Sequence, residues 1–291
     1  MTDSLNRKLK RRVWQGEPLL LPGAPNALAA RIIEELGFEA VYATGAGITN
    51  SYLGMPDLGL LTLTELAAHV AAMRDAITLP ILVDADTGFG NASNVARTVR
   101  VLERAGANGM QIEDQVSPKR CGHFDGKEVI ATEEMVRKIQ AAADARRDGD
   151  FLIIARTDAR AELGFDAAIE RAGRYAEAGS DLTFVEAPRS REEVARIPQL
   201  LGCPQVINMV VGGKTPLLDL GELQALGYAV VLYANAALQG AIHGMEQVLE
   251  PLRRTGTIAG VLDRITPFAE RQRIVRKPLF DELDKKYSSR P

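Results

Sequence analysis

The 291-residue chain carries 35 basic and 38 acidic residues for a formal net charge of −3, a balance that argues against a general nucleic-acid binder. Apolar residues at 46% and charged residues at 25% exclude disordered, collagen-like and coiled-coil chains and allow a large buried core. Two cysteines, Cys121 and Cys203, cannot build a disulfide framework, so a reducing, cytoplasmic setting is expected. Met1–Arg12 is charged and lacks the apolar core of a signal peptide. The longest uncharged run, Gly227–Ile242, is broken by Asn235 and Gln239 and is too short to span a membrane.

Short runs rich in Val, Ile and Leu alternate with helical patterns at a spacing of roughly 25 residues. The predicted strands are Pro18–Leu21, Ala40–Ala43, Ile81–Ala85, Gly109–Glu113, Phe151–Ala155, Leu182–Glu186, Gln205–Asn208 and Ala229–Tyr233. Most are apolar throughout, as parallel strands covered on both faces must be. Between them, helices are predicted over Ala27–Leu36, Thr64–Ile77, Asn94–Ala105, Glu133–Arg147, Phe165–Ala178 and Arg191–Leu201. Glycines just beyond several of them, Gly37, Gly106, Gly149, Gly179 and Gly202, suggest left-handed stops.

Eight strand–helix units in about 250 residues match a (β/α)₈ barrel, with a doubly wound open sheet as the competitor. No linker-like stretch divides the chain, so one domain over 1–291 is expected. Residues 1–16 add an N-terminal helix, Asn6–Trp14 being basic and amphipathic, and 256–291 form a C-terminal helical extension. The run Arg7–Arg12 reads as a solvated helix face, without the interleaved aromatics of a nucleic-acid platform.

In such a barrel the active site lies at the C-terminal strand ends, and polar residues collect there. Strand two exits in Thr44-Gly45-Ala46-Gly47, strand three in Asp84-Ala85-Asp86, strand four in Glu113-Asp114-Gln115. Strand five exits in Arg156-Thr157-Asp158, strand six in Glu186-Ala187-Pro188 and strand seven in Asn208. Asp84 and Asp86, two apart, share a face in a strict strand, and Glu113 approaches from the next strand. Three carboxylates ~5 Å apart repel by about 3 kcal/mol per pair at an effective dielectric near 20. Either protons or a cation must resolve that conflict. An all-oxygen donor set points to Mg²⁺, or Mn²⁺, rather than Zn²⁺.

The loop Ser117-Pro118-Lys119-Arg120-Cys121-Gly122-His123 surrounds a thiol with basic groups that favour its thiolate, and His123 could exchange its proton. Arg156 could clamp a substrate carboxylate or pair with Glu186 or Asp158. Thr44–Gly47 can offer backbone N–H groups to an anion. His69 and His243 fall in helical patterns away from this cluster, and Cys203 reads as a small buried apolar residue.

These residues resemble the isocitrate lyase and phosphoenolpyruvate mutase superfamily. Lys119-Arg120-Cys121-Gly122-His123 is similar to its signature loop. Leu53–Asp57, Asp84–Asn91, Ile112–Gln115, Ala155–Asp158 and Asn208-Met209 with Gly212–Pro216 follow in the same order. The resemblance covers roughly residues 15 to 255. It implies a (β/α)₈ barrel that exchanges its eighth helix between subunits of a homodimer or homotetramer. It also implies Mg²⁺ near Asp84, Asp86 and Glu113, held largely through water, with a 2-oxo acid or its enolate as ligand. By the same resemblance Thr44, Gly45, Ala46 and Arg156 hold that fragment's carboxylate, and Asp57 supports the metal site. Tyr42 stands near the reacting oxygen, Glu186 and Asn208 line the pocket, and Cys121 donates a proton. Lys119, Arg120 and Gly122 bind substrate within the signature loop.

Gly212-Gly213-Lys214-Thr215-Pro216 looks more like dimethylmalate lyases, petal-death-type lyases and carboxyphosphonoenolpyruvate mutases than like methylisocitrate lyases. Those relatives commonly carry Glu where this chain has Val211, which suggests a more apolar substituent on the substrate. The expected activity is Mg²⁺-dependent retro-aldol cleavage of a 2-substituted malate or related 2-hydroxy acid to pyruvate, glyoxylate or oxaloacetate. A carboxyphosphonoenolpyruvate-type mutase and an oxaloacetate decarboxylase or hydrolase are the alternatives. The expected partner is a small carboxylate, with neither nucleic acid nor membrane.

Overall fold

Strands that are apolar at every position are stable only when both faces are covered, and here the sheet closes on itself to cover one of them. The computed structural model describes residues 3–120, 122 and 126–288. In chain order the elements are α1 (Leu5–Val13), β1 (Leu19–Ala24), α2 (Ala27–Glu35), β2 (Val41–Ala43), α3 (Gly45–Ile48) with a π-helical turn over Thr49–Leu53, and α4 (Leu63–Ala76). There follow β3 (Ile81–Asp84), α5 (Ala92–Arg104), β4 (Gly109–Glu113), α6 (Thr132–Ala145), β5 (Leu152–Thr157), α7 (Ala159–Glu162) and α8 (Phe165–Glu177). The series continues with β6 (Leu182–Val185), α9 (Arg191–Leu200), β7 (Gln205–Asn208), α10 (Leu220–Leu226), β8 (Val230–Tyr233) and α11 (Ala236–Thr255). A 3₁₀ segment over Ala259–Arg264, α12 (Phe268–Ile274) and α13 (Lys277–Tyr287) end the described chain.

All eight strands are parallel and pair in sequence order, with β8 closing on β1 through Leu19–Pro22 against Val230–Tyr233. The predicted (β/α)₈ barrel is therefore the fold, and the open sheet is excluded. The chain divides into two compact units, one reaching to Ala236 and the other starting at Ala237. The second unit comprises most of α11 and the elements after it, tied internally by Arg264 to Gln247 at 2.5 Å and Lys277 to Asp281 at 2.6 Å.

Within the barrel, side chains alternate between two cores, as the two-residue strand period requires. Leu19, Leu21, Tyr42, Leu82, Leu152, Ile154, Leu182, Phe184, Val206, Val230 and Leu232 fill the interior. Val41, Ala43, Ile81, Val83, Met110, Ile112, Ile153 and Ala155 face the surrounding helices. Leu9 and Val13 of α1 join the interior cluster, so this helix plugs the N-terminal end of the barrel. Its basic residues are held by acids: Arg7 by Asp150 at 3.0 Å, Lys10 by Asp181 at 2.9 Å and Arg12 by Glu39 at 2.7 Å.

Three of the predicted glycine stops are left-handed, Gly37, Gly106 and Gly179, at φ of 84°, 94° and 110°. The other two are not. Helix α6 ends at Arg146, which turns extended at ψ 136°, and α9 ends at Leu201 with ψ 122°. The seven-residue α10, which the sequence pattern did not yield, has a reciprocal cap between Asp219 and Glu222 and a left-handed stop at Gly227. Gly23 is where the closure leaves no room, because a Cβ there would lie 1.8 Å from the Ala234 carbonyl oxygen. Gly23→Ala should cost about 3 kcal/mol in urea unfolding. Gly149→Ala, with no atom within 4 Å of the added carbon, should leave the midpoint unchanged.

Candidate active site

The interior face of each strand continues past its apolar residues into a polar one. After Leu82 comes Asp84, and after Leu152 and Ile154 comes Arg156. Beyond Phe184 lies Glu186, and beyond Val206 lies Asn208. In β4 the same face carries Gly109, Gln111 and Glu113, all buried. The period of two that builds the barrel core thus also delivers the site residues to one mouth.

Of the predicted residues, Tyr42, Thr44, Ala46, Asp57, Asp84, Lys119, Gly122, Arg156, Glu186, Asn208 and Val211 line one cavity of about 230 Å³. Asp86 and Glu113 are buried beside it. Gly45 packs against both aspartates, its N–H reaching Asp84 Oδ2 at 3.3 Å. Arg120 is not brought in: its side chain is exposed and borders a neighbouring cleft with Gln115, Pro118 and Lys127. Cys121 and His123 lie outside the described residues. The second cysteine, Cys203, is half-buried and within 3.4 Å of Thr183 Oγ1, so it is hydrogen-bonded rather than simply apolar.

Two local expectations change. Asp84 and Asp86 do not share a strand face, because β3 ends at Asp84 and Asp86 takes a left-handed φ of 47°. A turn brings them together instead, with the Asp86 N–H 3.3 Å from Asp84 Oδ1. Thr44–Gly47 is the start of the short helix α3 rather than a loop. Thr44 accepts the Gly47 N–H and Asp84 the Gly45 N–H, so the latter faces a protein carboxylate.

Charge pairing in the mouth is dense. Arg156 holds Asp158 with two hydrogen bonds of 2.9 Å and approaches Glu113 at 3.1 Å and Glu186 at 3.3 Å. Its guanidinium also lies 5.4 Å from the Phe184 ring centre. Lys119 pairs with Asp57 and, at 3.0 Å, with Asp86. Lys127, fully buried, pairs with Asp158 at 2.9 Å. The clamp and ion-pair readings of Arg156 are therefore compatible: it is paired, and it lines the cavity.

Burial raises the Asp84 carboxyl and pushes Asp86 up to about 6, in both cases against the pull of Lys119. Burial also lifts Glu113 well above the usual carboxylate range despite Arg156. Asp158 goes the other way: Arg156 and Lys127 outweigh its burial and hold it low. For Lys119 burial opposes the charge, yet Asp86, Glu113, Asp84 and Asp57 outweigh it and keep the ammonium protonated. Burial, with Asp84 next, keeps the Tyr42 phenol firmly protonated.

The donor set fits a hard divalent cation. Asp86 Oδ1 and Glu113 Oε2 are buried, and among the described residues each is met only by an ion-pair partner, Lys119 at 3.0 Å and Arg156 at 3.1 Å, outside good hydrogen-bond geometry. The missing side chain of Gly45 leaves open a space that a Cβ would fill at 3.1 Å from Asp84 Oδ2 and 3.4 Å from Asp86 Oδ1. No three acidic, His or Cys side chains among the described residues converge as a direct ligand set, so water would complete the shell, as Mg²⁺ commonly requires.

Sequence reasoning missed the layer behind the site. Asp114 accepts from Thr157 Oγ1 at 2.7 Å, Tyr175 OH at 2.8 Å, the Asp158 N–H at 2.9 Å and Arg171 at 3.1 Å. Gln115, Lys127 and Asn235 were also missed. For Asp114, Gln115 and Asn235 the signal is a polar residue beside an apolar strand, which does not tell a binding group from a supporting one, and Lys127, between β4 and α6, lacks even that.

A carboxylate cluster met by Arg and Lys at the C-terminal mouth of a (β/α)₈ barrel defines an enzyme acting on small acids. A family model described as phosphoenolpyruvate phosphomutase matches residues 7–253. The chain is 45% identical over 282 residues to 2,3-dimethylmalate lyase of Eubacterium barkeri, covering 97% of this chain and 98% of the relative. It is 46% identical to 2-methylisocitrate lyase of Aeropyrum pernix, covering 88% and 82%. Among solved structures, oxaloacetate acetylhydrolase with the inhibitor 3,3-difluorooxalacetate superposes at TM-score 0.91 with 35% identity, covering 97% of each chain. Phosphonopyruvate hydrolase with oxalate and Mg²⁺ superposes at 0.89 with 29% identity, covering 98% and 99%. The chain belongs to the isocitrate lyase/phosphoenolpyruvate mutase superfamily, and it is a carbon–carbon lyase on that scaffold.

Asp114→Ala would remove the buried acceptor shared by Thr157, Tyr175, the Asp158 N–H and Arg171, the last of which keeps the Ile130 carbonyl. It should cost about 3 kcal/mol. Asp114→Asn, which keeps an acceptor oxygen, should cost less in the same urea titration.

Proposed function

We propose that this enzyme is a Mg²⁺-dependent lyase that cleaves a 2-alkyl-substituted malate by retro-aldol chemistry, releasing a 2-oxo acid and a carboxylate. The observation that carries this reading is the mixed lining of the cavity, where Asp84, Lys119, Arg156 and Glu186 stand with Phe184, Val210, Val211, Leu232 and Ala234. The charged groups suit the oxo-acid half of the substrate and the apolar ones its alkyl half. The similarity to 2,3-dimethylmalate lyase along nearly the whole chain supports the same choice.

Asp84, Asp86 and Glu113 would hold Mg²⁺, largely through water, and the ion would stabilise negative charge on the substrate oxygen as carbon–carbon cleavage proceeds. Arg156 and the Thr44–Ala46 segment would bind and orient the carboxylate. Tyr42, kept protonated, would hydrogen-bond the reacting oxygen. As the substrate hydroxyl passes its proton to a carboxylate of the Asp84, Asp86 and Glu113 group and the C2–C3 bond breaks, the electron pair passes to C3 and into its carboxylate. The Cys121 thiol supplies the proton that C3 then takes up, and His123 would return one to the thiol.

The enzyme is further proposed to act in the cytoplasm as a homo-oligomer that exchanges its eighth helix. The exposed apolar side chains Ile242, Met245 and Leu249 on α11 support the exchange. No helix of the described chain is long and apolar enough to cross a membrane.

Oxo-acid release should require Mg²⁺ and should be fastest on 2,3-dimethylmalate or a simple 2-alkylmalate. Release from isocitrate or 2-methylisocitrate alone would overturn the alkyl assignment. Turnover of phosphonopyruvate or oxaloacetate, with every malate inert, would overturn the lyase. Cys121→Ser should lower kcat by at least ~100-fold while Mg²⁺-dependent binding of the oxo acid persists in calorimetry. Val211→Glu should move preference toward a substrate with an uncharged polar or basic group in place of the alkyl one, read as a change in the kcat/KM ratio.

A further inference from the structure

The chemistry proposed above depends on where residue 121 stands, and two buried polar side chains with no part in that chemistry grip the backbone on either side of it. Gln115 Oε1 accepts the Arg120 N–H at 3.0 Å, and Gln115 Nε2 donates to the Arg120 carbonyl at 2.8 Å. The same Nε2 donates to Glu113 Oε1 at 2.9 Å. Both backbone groups of Arg120 are thus held by one amide, which is itself fixed to a site carboxylate.

On the other side, Lys127 Nζ donates to the Gly122 carbonyl and, at 2.9 Å, to Asp158 Oδ1. Lys127 has no exposed side-chain surface, and neither does Asp158. Asp158 also receives both hydrogen bonds of the Arg156 fork. Gly122 meanwhile lies so close to the same arginine that a Cβ would come within 2.3 Å of its Nη2 and 2.7 Å of Glu186 Cγ. A lysine amine out of water is costly unless paired and hydrogen-bonded, and here its bonds go to a loop carbonyl and to the carboxylate behind Arg156.

We infer that Gln115 and Lys127 are positioning residues, which hold the Arg120 and Gly122 backbone, the sequence flanks of the proposed proton donor, at a set distance from Glu113 and Arg156. Each links one flank of residue 121 to a different charged group of the site. Neither lines the substrate cavity, so neither needs to touch substrate. The inference rests on the lyase reading only for the reaction by which turnover is measured.

Two variants of the full chain, assayed with Mg²⁺, test it. Lys127→Met keeps Asp158 paired with Arg156, and Gln115→Met keeps volume while removing the grip on Arg120. Each should lower kcat on the order of 100-fold, the cost of a displacement near 1 Å, while KM changes by less than about 3-fold. Lys127→Arg, which retains donors for both acceptors, should recover at least ~10-fold over Lys127→Met. Independently of activity, amide hydrogen exchange in the peptide spanning 119–127 should accelerate at least ~10-fold in both Met variants. Exchange in β5 should stay as in the parent.

Unchanged exchange over 119–127 in both folded variants would overturn the inference. So would a kcat within ~2-fold of the parent, or a Lys127→Arg no more active than Lys127→Met. If the parent turns over none of the malates, the lyase reading fails while the exchange measurement still decides this one. If Lys127→Met does not fold, Gln115→Met decides it by both readouts.

Discussion

Among the described residues, six carboxylates, those of Asp57, Asp84, Asp86, Glu113, Asp158 and Glu186, crowd the mouth of the barrel against three cations, Lys119, Lys127 and Arg156. Most of these groups are out of water. Like charges at such separations cost several kcal/mol in total, and no arrangement of three cations cancels six anions. The pairing is accordingly uneven. Asp158 takes two cations and stays low, whereas Asp84, Asp86 and Glu113 share the remainder and are raised. The excess negative charge sits where Gly45 leaves space, and that is where the proposed divalent cation would find its binding energy.

The other elements serve that concentration of charge. Helix α1 closes the opposite end of the barrel with Leu9 and Val13, keeping the interior dry beneath the carboxylates. Asp114 gathers Thr157, Tyr175, Arg171 and the Asp158 backbone into a second buried layer, which fixes the end of β5 and with it Arg156. Such a layer is stabilising only because its donors and acceptors meet.

Much of this was legible in the sequence because two periods overlap there. The two-residue strand period sorts Leu82, Ile154, Phe184 and Val206 to the interior, and one further step reaches Asp84, Arg156, Glu186 and Asn208. Asp86 escaped that logic, since its place depends on a left-handed turn that no alternation encodes. Gln115, Lys127 and Asp114 were illegible for another reason. Their partners are 5, 31 and up to 61 residues away, and what they hold depends on the closed barrel. Helix ends divided likewise: Gly179 stops α8 by its own backbone freedom, whereas α6 and α9 stop before their glycines because the chain must turn toward the next strand.

Val211, 67% exposed, and its neighbour Gly212, with φ of 75°, are the exposed residues of the described cavity wall. A residue so placed contributes almost nothing to the stability of the barrel, so selection on folding and selection on substrate act on separate positions. New substituent preferences can then accumulate one mutation at a time on an unchanged foundation. A scaffold with that property is free to diversify, because the position proposed to discriminate between substrates is one the fold can lose without noticing.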